Sequence, residues 1–261
     1  MKKLLCLSIL FTLLTTNLFA QYDIENIKIT YGTELENDKA KIVKLFGEAN
    51  NTVYALALRG KDKYYIKTFS SGEMSLLTNN LIVLPELKDK DIEFEEVALL
   101  NGKPYIIGSV YHRKDKIYTL GAFELGTDGK VNNKMTILFE SKVEKSNKKG
   151  SFYYKVAPEE NAILIMHTAY FKKEDALKYE IKLFDSNFNE VFSNIDKVSY
   201  DDSKKDYQFM LSDFEVNVFN DVFLVINESY RDKKKKEKVE KFQVFSFKNG
   251  KNYAKEVIDI N

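Results

Sequence analysis

The chain has 261 residues, of which 44% are hydrophobic and 13% aromatic, with 40 basic and 39 acidic side chains. Abundant apolar residues and a near-zero net charge exclude a disordered chain, and the balanced charge gives no reason to expect nucleic acid as a partner. The 16 Tyr and 19 Phe, with only 3 Pro and no Trp, favour β-strands.

Residues 1–20 have the features of a secretory signal peptide. Lys2 and Lys3 precede the mostly apolar stretch Leu4–Leu14, and Ala20 is a small residue before a plausible cut at Gln21. The apolar stretch is short for a bilayer span, which needs about 20 residues. We therefore expect cleavage, no stable membrane span afterwards, and export to the periplasm, the outer surface or the medium. An uncleaved anchor is the alternative.

The only cysteine, Cys6, lies inside this signal peptide. The mature chain, residues 21–261, is then expected to lack a disulfide, a thiolate metal site and a cysteine nucleophile.

After one alternating strand at Ile27–Tyr31, the chain follows a repeating pattern of four units at about 41–84, 92–140, 152–198 and 209–260. Each unit contains four apolar runs separated by polar turns, which predicts four strands per unit. Asn101-Gly102 and Asn249-Gly250 are strong hairpin signals between such runs. The predicted strands are Ile42–Phe46, Val53–Leu58, Tyr64–Phe69 and Leu81–Leu84; Phe94–Leu99, Tyr105–Tyr111, Ile117–Leu125 and Met135–Phe139; Phe152–Ala157, Ala162–Tyr170, Leu177–Phe184 and Glu190–Ile195; Phe214–Phe219, Val222–Ser229, Val239–Phe247 and Lys255–Ile260.

Aromatic positions support the repeat. Tyr111, Tyr170 and Tyr230 each close the second strand of a unit, 59 and 60 residues apart. We expect the three tyrosines to occupy equivalent positions in successive sheets. Four strands per unit at this period are typical of propeller blades, and the alternative is chance recurrence in a meander of hairpins.

Over Lys41–Ile260 this pattern resembles β-propeller proteins exported by Gram-negative bacteria. The resemblance implies an all-β fold, a β-propeller-like array of about four four-stranded antiparallel blades. The absence of Trp excludes WD-type and Asp-box blades, and the absence of a Gly-Gly pair disfavours kelch blades. Because no functional motif matches, no functional residue is carried over from the family.

Four blades are the lower limit for a propeller. The fourth unit has its own four runs, so Ile27–Tyr31 has no gap to fill, as expected if the array is open or is the N-terminal part of a larger propeller. An open array would expose apolar surface on the first and fourth units and favour self-association.

Each candidate site in the sequence has a structural explanation. His112 and His167 fall at different places in their strands, so we expect both to be structural. Asp185–Glu190 begins like a calcium loop, but Glu190 stands where the motif needs Gly and Asp196 where it needs Glu, which favours a plain turn.

Charged runs are the remaining candidates. The four bases Lys233–Lys236 could bind phosphate or an anionic surface, but the flanking acids Asp232, Glu237 and Glu240 favour a solvated hairpin tip. Asp201, Asp202 and Asp206 mix with Lys204 and Lys205, which predicts a loop between two units.

No Ser-His-Asp arrangement or phosphate-binding glycine loop is visible, so the catalytic residues are unknown and we expect no cofactor or metal. The sequence favours an exported binding or scaffold protein for a protein or glycan ligand rather than an enzyme. The alternatives are a hydrolase acting on glycans or peptides, and a truncated fragment without independent function.

Overall fold

A computed structural model describes residues 22–24, 27–29 and 39–260, apart from 127, 173, 201 and 203. By internal contacts the chain divides into residues 1–37 and residues 38–261. In the first part, β1 (Tyr22–Ile24) pairs antiparallel with β2 (Ile27–Ile29). Thr30, Tyr31 and the predicted signal peptide lie outside the described residues.

Residues 39–260 form four antiparallel sheets, each built from consecutive strands of the chain. This is the predicted all-β, β-propeller-like array of four four-stranded units. The only described helical segments are two short 3-10 turns, Ser146–Lys148 and Asn249–Lys251. The first sheet contains β3 (Lys41–Ala49), β4 (Thr52–Arg59), β5 (Lys63–Ser70) and β6 (Leu76–Leu81); the second β7 (Glu93–Leu100), β8 (Lys103–His112), β9 (Ile117–Leu125) and β10 (Val131–Lys142); the third β11 (Ser151–Val156), β12 (Ala162–Phe171), β13 (Ala176–Asp185) and β14 (Glu190–Ser199); the fourth β15 (Lys205–Val216), β16 (Val222–Asp232), β18 (Phe242–Phe247) and β19 (Lys255–Ile260), with the short β17 (Lys238–Val239) paired to β16.

The second and third strands lie close to their predicted bounds, whereas some first and last strands do not. The last strand of the first sheet is Leu76–Leu81, not Leu81–Leu84, and the first strand of the fourth sheet is Lys205–Val216, not Phe214–Phe219. The polar stretch Thr78–Asn80 hid the former, because an outer strand carries exposed polar side chains and lacks the apolar run of a central strand.

The sheets pack face to face through shared apolar clusters. Leu56 and Ile66 of the first sheet pack with Val97 and Ile106 of the second. Phe139 of the second sheet contacts two aromatic rings of the third, at centroid distances of 5.5 and 6.1 Å. A third cluster joins the third and fourth sheets. Each fully buried large apolar side chain contributes about 1.5–3 kcal/mol to folding.

Central strands are buried on both faces. On β12, Ile163 packs toward the second sheet and its neighbour Leu164 toward the fourth, and neither side chain is solvent-accessible. Successive side chains of a strand point to opposite faces. Two buried faces therefore explain why these strands are continuous apolar runs rather than alternating ones.

The expected equivalence of the three tyrosines is wrong for Tyr230. Tyr111 lies on the face of β8 that packs against the third sheet. Tyr170 likewise faces the next sheet. Its ring centre lies 6.2 Å from that of Tyr200, which contacts Tyr207 on β15, and Tyr207 contacts Tyr230 on β16. Tyr230 therefore faces the preceding sheet. A shift of one residue in a strand moves each side chain to the opposite face of the sheet. Tyr170 and Tyr230 are 60 residues apart, one more than Tyr111 and Tyr170, and this extra residue reverses the face of Tyr230.

Candidate anion-binding end

Charge is distributed unevenly between the two ends of the strands. In every sheet the turn between the second and third strands lies at the same end as the connection to the next sheet. We call this the basic end, because cations there outnumber carboxylates roughly two to one. It consists of the described residues among 59–63, 82–92, 112–117, 142–150, 171–172, 174–176, 199–200, 202, 204–205 and 231–238. At the opposite end carboxylates slightly outnumber cations.

A cavity of about 720 Å³ opens at the basic end between the second and third sheets. We call it the lysine groove. Phe171, at the end of β12, is half-buried and lines the cavity with the part of its ring that is left uncovered by the core and by the Lys178 ammonium, 4.3 Å from the ring centre. Within the groove Lys148 pairs with Glu144 at 3.6 Å. Its lining residues are Lys116, Lys142, Val143, Glu144, Lys145, Lys148, Phe171, Lys172 and Glu174. Five lysines against two glutamates make the groove cationic.

A second cavity, of about 600 Å³, lies on the other side of the β8–β9 hairpin. We call it the His112 cavity. Its walls come from the β6–β7 connection and from the hairpin tip, and they contain four cations and one carboxylate. The lining residues are Lys88, Lys90, His112, Arg113, Lys114 and Asp115.

The chain also contains a partly buried cluster of carboxylate and hydroxyl groups between the second and third sheets. Glu95, on β7, accepts hydrogen bonds from Ser109, from Tyr118 at 2.9 Å and from Tyr154 at 3.4 Å. Burial raises the pKa of the Tyr118 and Tyr154 phenols, and the Glu95 carboxylate raises both further. Both phenols are therefore neutral donors at neutral pH. Glu95 lines neither the lysine groove nor the His112 cavity.

Lys149 is bound to this cluster from the basic end. Its ammonium lies 2.7 Å from the Glu93 carboxylate and 4.7 Å from the centre of the Tyr118 ring. Partial burial lowers the pKa of Lys149, but the hydrogen bond to Glu93 and the proximity of Tyr118 more than offset this, so the pKa is raised. The ion pair fixes the entry into β11 beside β7.

Similar ion pairs join the first strands of the other neighbouring sheets. Lys44 on β3 lies 3.0 Å from Glu96 on β7, and Lys155 on β11 lies 3.0 Å from Glu215 on β15. All four side chains are partly exposed, so each pair contributes about 0–1 kcal/mol. These pairs help to align neighbouring sheets.

The two histidines are not brought together. His167 is 4% exposed, contacts the Phe152 and Tyr118 rings, and donates through Nε2 to the Lys149 carbonyl oxygen at 2.7 Å. Burial lowers its pKa, opposed by that hydrogen bond. These contacts fix the His167 ring within the protein, which agrees with the structural role expected for it. His112 is 8% exposed, but its Nε2 has no hydrogen-bond partner among the described residues, which a purely structural role leaves unexplained.

The predicted turn at Asp185 is confirmed. The Asp185 carboxylate accepts hydrogen bonds from the Asn187 and Asn189 backbone amides at 2.8 and 2.9 Å and from the Asn189 side chain at 2.8 Å. Within the described residues no group of three or more His, Cys, Asp or Glu could hold a metal ion.

The basic run Lys233–Lys236 forms an exposed hairpin tip, as predicted. Asp232 holds it in shape by accepting hydrogen bonds from the Lys234 and Lys235 amides, both at 2.8 Å. Asp202 and Lys204 lie in the loop between β14 and β15, while Asp206 belongs to β15 and Asp201 is outside the described residues.

The cations that line the two cavities come from separate turns, and no single motif in the sequence marks them as a group. Net charge, summed over the whole chain, concealed them because most of the balancing acids lie within the strands, between the two ends. A sum over alternate turns of the predicted meander would have revealed the basic end, since successive turns of an antiparallel meander lie at opposite ends.

Within the part of the chain that the structure describes, no helical segment has the length and hydrophobicity of a membrane span.

No protein-family model and no curated protein matches the chain. Solved structures with partial similarity include an endo-arabinase from Bacteroides thetaiotaomicron, at 11% identity and a TM-score of 0.34 over 85% of this chain and 80% of that one. An α-L-arabinofuranosidase from Fusarium graminearum in complex with arabinobiose matches at 9% identity and a TM-score of 0.42, over 85% and 66%. The Dos1 propeller matches at 10% and 0.42, over 84% and 60%. At these values the similarity supports no conclusion about activity or ligand.

Proposed function

We propose that this chain is an exported, propeller-like binding protein that holds an acidic polysaccharide at its basic end. The observation that carries the proposal is the lysine groove, which combines five cations with an aromatic surface in a cavity of about 720 Å³. Lysines attract carboxylate or sulfate groups, while the face of an aromatic ring packs against the apolar face of a sugar.

A hydrolase acting on glycans is the main alternative, and the Glu95 cluster is where it would be sought. Glycoside hydrolysis uses two carboxyl groups on either side of the scissile bond. Glu95 instead accepts hydrogen bonds from three hydroxyl groups of the chain itself. This arrangement favours a structural role for Glu95, and with it the binding function.

Binding can be tested by titrating the purified protein with polygalacturonate and with a neutral galactan of similar length. We expect binding to polygalacturonate only, weakening as salt screens the charges. In the variant Lys145→Glu/Lys172→Glu both reversed charges line the groove, and affinity should fall by about tenfold or more. The matched control Lys103→Glu/Lys130→Glu reverses two charges at the opposite end and should change affinity by less than about twofold.

Equal binding of both polysaccharides, or equal losses in the two variants, would contradict the proposal. Nucleic acid is the competing polyanion. The near-zero net charge of the chain gives no reason to expect it as a ligand, but cations concentrated at one end can attract any polyanion. If single-stranded DNA bound as tightly as polygalacturonate at equal salt, the ligand assignment would be wrong.

A further inference from the structure

We infer that the His112 cavity is a discrete binding site for a phosphate monoester, such as a phosphorylated sugar. The inference rests on the proposed function, since it assigns a second, more specific anion site to the same basic end. It has its own evidence in the cations and the buried imidazole of this cavity.

Four cations converge on the cavity without partners of their own. Within the described residues, none of the Lys88, Lys90, Arg113 and Lys114 side chains forms an ion pair or a hydrogen bond. Unneutralised cations at close quarters repel one another, so an anion bound among them is favoured.

The β6–β7 connection places two of these cations at the rim. Leu87 and Lys90 exchange backbone hydrogen bonds of 2.9 and 3.2 Å, closing a two-residue turn. The turn residues Lys88 and Asp89 both have left-handed φ values, of 50° and 58°. Such a turn is tight and holds Lys88 and Lys90 close together in space.

His112 provides the independent indication of a ligand. Alternate residues of a strand share a face, so His112 faces the same side as Val110, which packs against Ile92 at the end of the β6–β7 connection. His112 thus lines the cavity, yet its Nε2 is buried without a partner among the described residues. A buried polar atom left unpaired costs about 1–3 kcal/mol. A rotation of the imidazole that brings Nε2–H to the cavity surface would let an anion oxygen accept from it and remove that cost.

The charge of the site indicates the ligand chemistry. The lining carries four cations against one carboxylate, Asp115, an excess of three positive charges, while Glu86, Asp89 and Asp91 of the connection do not line the cavity. A phosphate monoester carries about −1.5 to −2 at pH 7 and offers three acceptor oxygens, which matches this excess better than a singly charged carboxylate. Arg113 can bind two of those oxygens at once, and the volume leaves room for a sugar ring.

The site can be tested by calorimetry with glucose 6-phosphate, inorganic phosphate, glucuronate and glucose. We expect binding of the two phosphates, with at least about tenfold preference over glucuronate, and no binding of glucose. Vesicles containing phosphatidic acid distinguish the source of the group: binding to vesicles but not to glucose 6-phosphate would assign the site to a lipid headgroup. Absence of binding to any phosphate would overturn the inference.

Ring proton resonances give a local readout, because the chain has only two histidines. Addition of glucose 6-phosphate should shift the His112 signals and leave those of the buried His167 unchanged. Unchanged His112 signals under saturating ligand would place the phosphate elsewhere and refute the inference.

Substitutions separate this cavity from the general charge of the basic end. Arg113→Ala should weaken phosphate binding by about tenfold or more, whereas Lys235→Ala, on the exposed β16–β17 hairpin, should change it by less than about twofold. His112→Phe should weaken binding and His112→Gln, which retains a donor, should restore part of it. Equal effects of Arg113→Ala and Lys235→Ala would show that phosphate is attracted by the general charge of the basic end and not by a discrete site.

The two proposals fail separately. If polygalacturonate binds but phosphates do not, only the phosphate site is refuted. If phosphates bind but polygalacturonate does not, the acidic-polysaccharide function is refuted and the phosphate site stands.

Discussion

The hydroxyl group of Tyr118 donates a 2.9 Å hydrogen bond to the Glu95 carboxylate, although β9 and β7, which carry these residues, are not adjacent strands of their sheet. Between them lies Ser109 of β8, whose hydroxyl bonds to both. A carboxylate on the first strand is thus held by a side chain of the third.

Replacing Tyr118 with Phe tests the energetic value of this relationship. Because the acceptor is charged and partly buried, we expect the variant to lose about 1.5 kcal/mol of unfolding free energy, measured by urea denaturation. Tyr153→Phe is the matched control, since the Tyr153 side chain is 41% exposed and none of the described hydrogen bonds involves its hydroxyl. Equal stability of the Tyr118→Phe variant and the unmodified protein would contradict the role given to the cluster.

Gly150 is expected to be intolerant of a side chain. Its φ is 81°, and a Cβ atom placed there would lie 1.7 Å from the Thr168 carbonyl oxygen. Gly150→Ala must therefore move the backbone before β11, with an expected loss of more than about 3 kcal/mol. Gly72→Ala is the control, since a Cβ atom at that position would have no neighbour within 4 Å among the described residues. Similar melting temperatures for the two variants would show that the close approach at Gly150 is wrong.

His167 makes stability depend on pH in a predictable direction. Its pKa is lowered by burial in the folded protein, so below the unfolded value of about 6.5 the unfolded chain binds the proton first. The unfolding free energy should therefore decrease as pH falls from about 6.5 toward the folded pKa, and this contribution is fully present above 6.5. Denaturant titrations between pH 5 and 7 should show the slope, and His167→Phe should reduce it. An unchanged slope in the variant would assign it to other groups.

Export predicts the length of the mature protein. If the signal peptide is removed as proposed, the exported chain begins at Gln21, and intact-mass measurement of secreted material should give the mass of residues 21–261. A mass that includes Met1 would argue for the uncleaved anchor.

The sequence predicted the fold well where strands are buried on both faces. β9 has the predicted bounds, and the runs of β8 and β12 were recognised because burial on two sides leaves almost no polar residues in them. The outer strand β19 also has the predicted bounds, although most of its residues are exposed. The outer strand β6 was misplaced, because its exposed polar residues give it the sequence pattern of a turn.

The candidate site was less accessible to sequence reasoning. The face of Tyr230 depends on a single residue of register, which spacing alone does not determine. Arg113 and Lys88 are far apart in the sequence and become neighbours only when the β6–β7 connection lies beside the β8–β9 hairpin. The unpaired nitrogen of His112 is a consequence of packing and has no counterpart in the sequence pattern.

The uneven distribution of charge gives residues 39–260 a dipole moment along the strand direction, although the net charge of the chain is only +1. In the field of a negatively charged surface such a molecule is turned before it makes contact, so it arrives with one set of turns leading. The opposite turns, among them the rigid Asp185 turn, then point away from that surface. A protein bound in this way presents the same turns outward in every copy, and a second partner would meet a uniformly oriented layer.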